Sequence, residues 1–112
     1  MRKAVEQILQ ELEVPRAYIA YPCLLRMAER YEAGEPLGQE LLLREAENTG
    51  HRYSALRKSL HHIAWAAYSH RNGRRVLGPL PRRELVWSFL EALFAAAKEK
   101  KESACDKTPP LS

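Results

Sequence analysis

Apolar residues recur at steps of three and four through every stretch between the proline and glycine breaks, and no stretch sustains a two-residue alternation. That periodicity predicts a series of helices, each with one apolar stripe, and argues against a sheet as the framework of the core. The opening run predicts a helix from about Arg2 to Glu13, with Val5, Ile8, Leu9 and Leu12 as its stripe. Pro15 ends it, because the residue before a proline disfavours helical backbone. A second segment extends from Pro15 to about Ala33, with Tyr18, Tyr21, Leu24, Leu25 and Ala28 inward. Pro22 lies inside that segment and calls for a break, a kink or a late start. Gly34-Glu35-Pro36 marks a turn. A third helix from Gly38 to Glu47 buries Leu41, Leu42 and Ala46, and Asn48-Thr49-Gly50 offers a stop followed by a cap for the next helix.

The fourth helix runs from Tyr53 to His70, with Leu56, Leu60, Ile63, Ala64 and Ala67 on its buried side. A loop follows over 71–81, marked by Asn72-Gly73 and Gly78-Pro79-Leu80-Pro81, where a hairpin would rest on Val76 and Leu77 alone. A last helix from about Arg82 to Lys98 presents Leu85, Val86, Phe89, Leu90, Leu93, Phe94 and Ala97 as a broad apolar face. The polar, proline-ended composition from Lys101 onward predicts disorder. The expected architecture is a compact all-α bundle of about five helices over 1–100, followed by a disordered polar tail over 101–112.

Charge is distributed unevenly along this framework. From Asn48 to Arg83 there is no Asp or Glu, while eight Lys or Arg and all four histidines fall there. The whole chain carries a formal +4 and this stretch alone +8, so the remainder sums to −4. A mildly acidic body with one concentrated basic segment is the electrostatic footprint of a surface that meets a polyanion. On the fourth helix, Ser54, Arg57, Lys58, His61 and Trp65 share the side opposite the apolar stripe. The helix therefore buries one face and offers basic and hydrogen-bonding tips on the other, as a nucleic-acid groove requires. Arg52 precedes this helix and His62 borders its face, while Arg71, Arg74 and Arg75 form a basic loop suited to clamping phosphates. Arg82-Arg83 at a helix N-terminus would oppose the macrodipole and hint at an external anion. Each residue also has a plainer reading: solvated charge for the cations, and packing against the last helix for Trp65.

Several other classes find little support. The 112 residues suit one domain with a modest core. No apolar run approaches a membrane span, and Met1-Arg2-Lys3 leads into an amphipathic helix rather than a signal peptide. Cys23 and Cys105 lie far apart, which favours reduced thiols in a cytoplasmic protein over a disulfide scaffold. His61 and His62 are adjacent and diverge by about 100° on a helix, so they cannot chelate one metal together. No nucleophile motif, phosphate loop or metalloprotease signature is present, so neither an enzyme nor a cofactor or small-molecule substrate is expected.

The helices over 38–47 and 53–70, joined by a glycine-containing turn, form a helix-turn-helix candidate. From about Val5 to Phe94 the chain resembles the C-terminal DNA-binding domain of stage-zero sporulation protein A, the master sporulation response regulator. The resemblance rests on the apolar helix leading to Val14-Pro15, on Tyr21 and Leu24, and on Leu37-Gly38. It continues through the run Ser54-Ala55-Leu56-Arg57-Lys58-Ser59-Leu60-His61-His62-Ile63, then Ala67-Tyr68-Ser69 before Asn72. It implies an all-helical domain whose fourth helix enters the major groove, with pairs of domains, here a possible homodimer, on adjacent sites. Lys58 falls where the family has an arginine, and His62 matches a histidine. Arg57 stands at an acidic position, His61 at an arginine, and Ala55 at a basic one, so a different target sequence is expected. The segment before the recognition helix is a few residues shorter, and the receiver domain is expected to be absent. The function anticipated is sequence-specific double-stranded DNA binding in transcription regulation. The alternative is a protein-interaction module of the same fold that docks an acidic partner, since fold does not fix function.

Overall fold

The apolar stripes anticipated from the spacing are buried in the computed structural model, except that Tyr18 and Leu85 are only partly buried; the structure describes residues 1–106 in backbone and 1–100 in side chains. The described chain is all-helical, with no strand among its residues. Six helices follow in order: α1 Arg2–Glu11, α2 Ala20–Glu32, α3 Gln39–Thr49, α4 Tyr53–Ser69, α5 Gly73–Leu77 and α6 Leu85–Asp106. The core draws on all six helices, with Leu24 and Met27 of α2, Leu56, Leu60 and Ile63 of α4, and Phe89, Leu90, Leu93 and Phe94 of α6 among its largest members. Tyr68 meets Phe89 edge-on at 6.0 Å, and Tyr31 covers Phe94 at 5.2 Å. Helix α4 packs against α2, α3, α5 and α6, and α1 packs against α2 and α6.

The helix ends explain most of the boundaries. Helix α1 closes with Glu13 in left-handed backbone (φ 56), its amide donating to the Gln10 carbonyl and that of Val14 to Leu9. Those two bonds make a Schellman stop, usually built on glycine. Helix α2 starts late, as one of the outcomes expected of Pro22: the proline is the third helical residue, where its missing N–H would have had no partner anyway. The Ala20 amide is instead satisfied from another element, donating to the buried Ser59 Oγ of α4 at 3.1 Å. A second Schellman pair, through Gly34 (φ 102), ends α2.

Four expectations need correction. Thr49 does not cap α4; its hydroxyl donates to the Glu45 carbonyl at 2.7 Å inside α3, and Arg52 occupies the N-cap position of α4 without a side-chain cap. The segment over 71–81 is not wholly loop, since α5 makes a short turn of helix there. A hairpin on Asn72-Gly73 would need positive φ at both residues, and neither has it. Gly73 is instead pressed against the end of α4, where an added Cβ would lie 2.4 Å from the Ala67 carbonyl oxygen. Helix α6 begins at Leu85 rather than Arg82, so Arg82 and Arg83 precede the helix instead of lying in its first turn. It also continues through Asp106, so 101–106 are helical; the rest of the expected disordered tail, 107–112, lies outside the described residues.

Gly73→Ala is therefore expected to destabilise the fold by about 1–3 kcal/mol, the range for forcing an extra methyl into a closed site. Gly38→Ala, with nothing within 4 Å of its added Cβ, should be close to neutral. Urea unfolding of both variants checks the contrast, and equal midpoints would contradict the tight approach at Gly73.

Candidate nucleic-acid interface

Because α4 buries Leu56, Ser59, Leu60, Ile63, Ala64, Ala67 and Tyr68, its opposite side is committed to solvent. Ser54, Arg57, Lys58, His61, His62 and Trp65 are all exposed there, and Arg52 is exposed just before the helix. Trp65 is 47% exposed, so packing against α6 does not cover it. The two edges of the face touch neighbouring elements. The Arg57 guanidinium lies over the Trp87 ring of α6, 6.0 Å from its centroid, and His62 lies 6.2 Å from the Tyr18 ring. Lys58 and His61 occupy the middle. Ser54, Arg57, Lys58 and His61 line one side of an open cleft of about 540 Å³, with Glu84, Leu85 and Val86 at the start of α6 on the other.

The pairing of charges separates this face from the rest of the surface. Outside the acid-free stretch, Arg2, Arg26, Arg30 and Arg44 each hold a carboxylate within 4.0 Å. Inside it, Arg75 is the one lysine or arginine among the described residues that does so, at 3.2 Å from Glu11 of α1. Among the described residues, Arg52, Arg57, Lys58, Arg71, Arg74, Arg82 and Arg83 therefore have no carboxylate within 4.0 Å. Arg71 and Arg74 are exposed beyond the C-terminal end of α4, roughly 20 Å along the helix from Lys58 at 1.5 Å per residue. The nine candidate residues thus divide into a cluster on and before α4 (Arg52, Ser54, Arg57, Lys58, His61, His62), a separate pair (Arg71, Arg74), and Arg75, which is tied to α1.

His70, at the end of α4, has a structural task. Its Nδ1 accepts from the Asn72 amide at 3.1 Å, which leaves Nε2 to donate to the Glu13 carboxylate at 3.0 Å. That pair holds the strained Glu13 backbone against the end of α4.

The placement of α4 also depends on a group the charge pattern does not reveal. Glu45 of α3 is fully buried, with Arg26 Nε at 2.8 Å and Arg30 Nε at 3.8 Å, both from α2. Its Oε2 has no hydrogen bond. This bracket fixes α3 on α2, and the left-handed Gly50 (φ 76) then turns the chain into α4. Beside it the Cys23 thiol is pushed above its ordinary pKa, first by burial and then by the Glu45 charge, with Arg26 acting against both. The Arg26 guanidinium is held more firmly protonated, chiefly by its hydrogen bond to Glu45. One sequence signal existed: Glu45 stands three and four residues after Leu42 and Leu41, inside the buried spacing. Glu84, which lines the cleft, and Ser59, which caps α2, were likewise not singled out.

Among the described residues no group of three or more His, Cys, Asp or Glu is placed to hold a metal ion. No described helix is long and apolar enough to cross a membrane. No protein-family model, no curated protein and no solved structure matches this chain.

Arg26→Ala should cost on the order of 3 kcal/mol, because it leaves a buried carboxylate with only a distant arginine. Glu45→Leu should cost less than half of that. It leaves Arg26 and Arg30, whose side chains are 40% and 31% exposed and can turn to water. Chemical denaturation of the two variants checks the order; a larger loss for Glu45→Leu would contradict the bracket.

Proposed function

We propose that this chain binds double-stranded DNA and regulates transcription, with α4 lying in the major groove. The observation that carries the proposal is the outward side of α4: exposed, basic, and without ion pairs in a molecule that pairs most arginines elsewhere. Arginines and lysines left unneutralised on one surface are what phosphate neutralisation and counterion release require. The major groove, about 12 Å wide, admits one helix with its side chains. In this proposal Lys58 and His61 meet base edges, Arg52 and Ser54 meet phosphates at the helix start, and His62 flanks the groove. Arg57, held along Trp87, faces the groove wall. Arg71 and Arg74 contact the backbone further along, whereas Arg75 is already engaged by Glu11. The resemblance to the effector domain of stage-zero sporulation protein A supports the same assignment, with a homodimer on adjacent sites.

A second reading is favoured by one observation. Trp65, 47% exposed among the cations of α4, is the kind of residue that anchors a protein partner. In that case α4 docks an acidic protein.

Fluorescence anisotropy with duplex DNA at two or more salt concentrations decides between them. A footprint of about five phosphates gives a log–log slope on the order of −4 to −5. Lys58→Ala should cost about 1–3 kcal/mol on a preferred duplex and blur its sequence preference. Arg71→Ala with Arg74→Ala should weaken all duplexes alike and flatten the slope by roughly one unit per contact. Arg75→Ala should change little. No binding to any duplex at low salt would remove the DNA proposal and leave the protein-docking face.

A further inference from the structure

Glu84 is the first acid after the acid-free stretch, and the fold sets it in the cleft beside Ser54, Arg57, Lys58 and His61. An acid placed against a basic face ordinarily makes a salt bridge. Glu84 makes none within 4.0 Å among the described residues, and it is exposed. Its backbone is also unusual. Glu84, with φ 49, shares left-handed backbone with Glu13 alone among the described non-glycine residues. Such backbone is sparsely populated by a residue like glutamate and persists only where surrounding contacts hold it. Two contacts do so here: the Ser88 amide donates to the Glu84 carbonyl at 2.8 Å, and Ser88 Oγ donates to the Arg83 carbonyl at 3.2 Å. The side chain therefore departs from a fixed point at the start of α6, across the cleft from the N-terminal half of α4.

Glu13, the other strained glutamate, has its carboxylate engaged by His70. Among the described residues Glu84 has no such partner, which leaves its carboxylate available to a ligand. An ionised carboxylate only accepts hydrogen bonds. On duplex DNA it is repelled by phosphates and by the N7 and O6 acceptors of guanine, and the N7 of adenine opposes it beside the N6 amino group. The N4 amino group of cytosine is the matching donor in the major groove. Lysine, in turn, matches the O6 and N7 acceptors of the guanine paired with that cytosine.

We propose that Glu84, across the cleft from Lys58, is a specificity-determining residue that accepts the N4 amino group of a cytosine, so that Glu84 and Lys58 together read one G·C pair. This rests on the proposal that α4 enters the major groove. The carboxylate also lowers the attraction of the whole face for phosphate, so it penalises DNA that offers no cytosine there.

The test uses the intact chain and a duplex it selects from a randomised pool, together with a scrambled duplex and a set in which each base pair is replaced in turn. Glu84→Gln keeps the shape and removes the charge. Glu99→Gln makes the same charge change about 22 Å further along α6, at 1.5 Å per residue, beside Ile8 and Arg75. The expected result is that Glu84→Gln binds the scrambled duplex more tightly and loses roughly ten-fold preference at one G·C pair. Glutamine pairs with the N6 and N7 atoms of adenine, so the preference there should move toward A·T. Glu99→Gln should show neither change. If both variants strengthen all duplexes alike and the G·C preference survives in Glu84→Gln, the proposal is overturned. If the unaltered chain binds no duplex at low salt, the DNA proposal itself falls and this one with it, an outcome separate from the previous one.

Discussion

The apolar stripe of α4 is the constraint on which the rest of the molecule depends. Leu56, Leu60, Ile63, Ala64 and Ala67 are fully buried, and they face the α6 core as well as α2, α3 and α5. A helix that has to bury one side against four others has no freedom to rotate. The opposite side, with Lys58 and His61 at its centre, is consequently presented as a fixed surface rather than a mobile one. Polar contacts then set the position of α4 along its length. Ser59 caps α2 from within the interface, the Glu45 bracket sets the approach from α3, and the His70–Glu13 pair locks the far end. Each joins residues distant in sequence, so each contributes to a unique arrangement rather than to local helix formation.

Electrostatics complete the division of labour. The carboxylates Glu11, Glu29, Glu35 and Glu45 are used to neutralise arginines, three of them around α1 to α3 and one at Arg75. Among the described residues, every lysine and arginine of the acid-free stretch except Arg75 is without a carboxylate partner. Like charges gathered on one surface repel one another and destabilise the compact state slightly, a cost that a bound polyanion reverses. Such a field attracts anions in general and weakens with salt. Glu84 stands at the edge of that field, and its negative charge lowers the positive potential beside Lys58 and His61.

Much of this was legible in the sequence, for reasons that can be stated residue by residue. Stripes such as Leu56-Leu60-Ile63 declare themselves because burial on one face forces the 3.6-residue period. The exposed side of α4 follows from the same spacing, and Ser54, Lys58, His61 and Trp65 are exposed as it required. The boundaries of α6 were misjudged because Arg82 and Arg83 are acceptable helix formers, while the left-handed turn at Glu84 is imposed by contacts with Ser88. Helix α5 was missed because Asn72-Gly73 suits either a hairpin or a close approach, and only the packed end of α4 decides between them. Arg75 carries no local mark of its partner Glu11, which lies sixty-four residues away. Glu45 was readable in principle, since a glutamate inside a buried spacing demands cationic partners, but nothing local names Arg26 and Arg30.

The central claim is that the outward side of α4 is the ligand-binding surface of this fold. The most direct measurement is an NMR titration of the isotope-labelled chain with duplex DNA, following each backbone amide. The account predicts perturbations concentrated at residues 52–62 and 84–86, with smaller ones near 71–74 and little change along α1. Perturbations centred on α1 and α2 with residues 52–62 unmoved, or no perturbation at any residue at low salt, would contradict it.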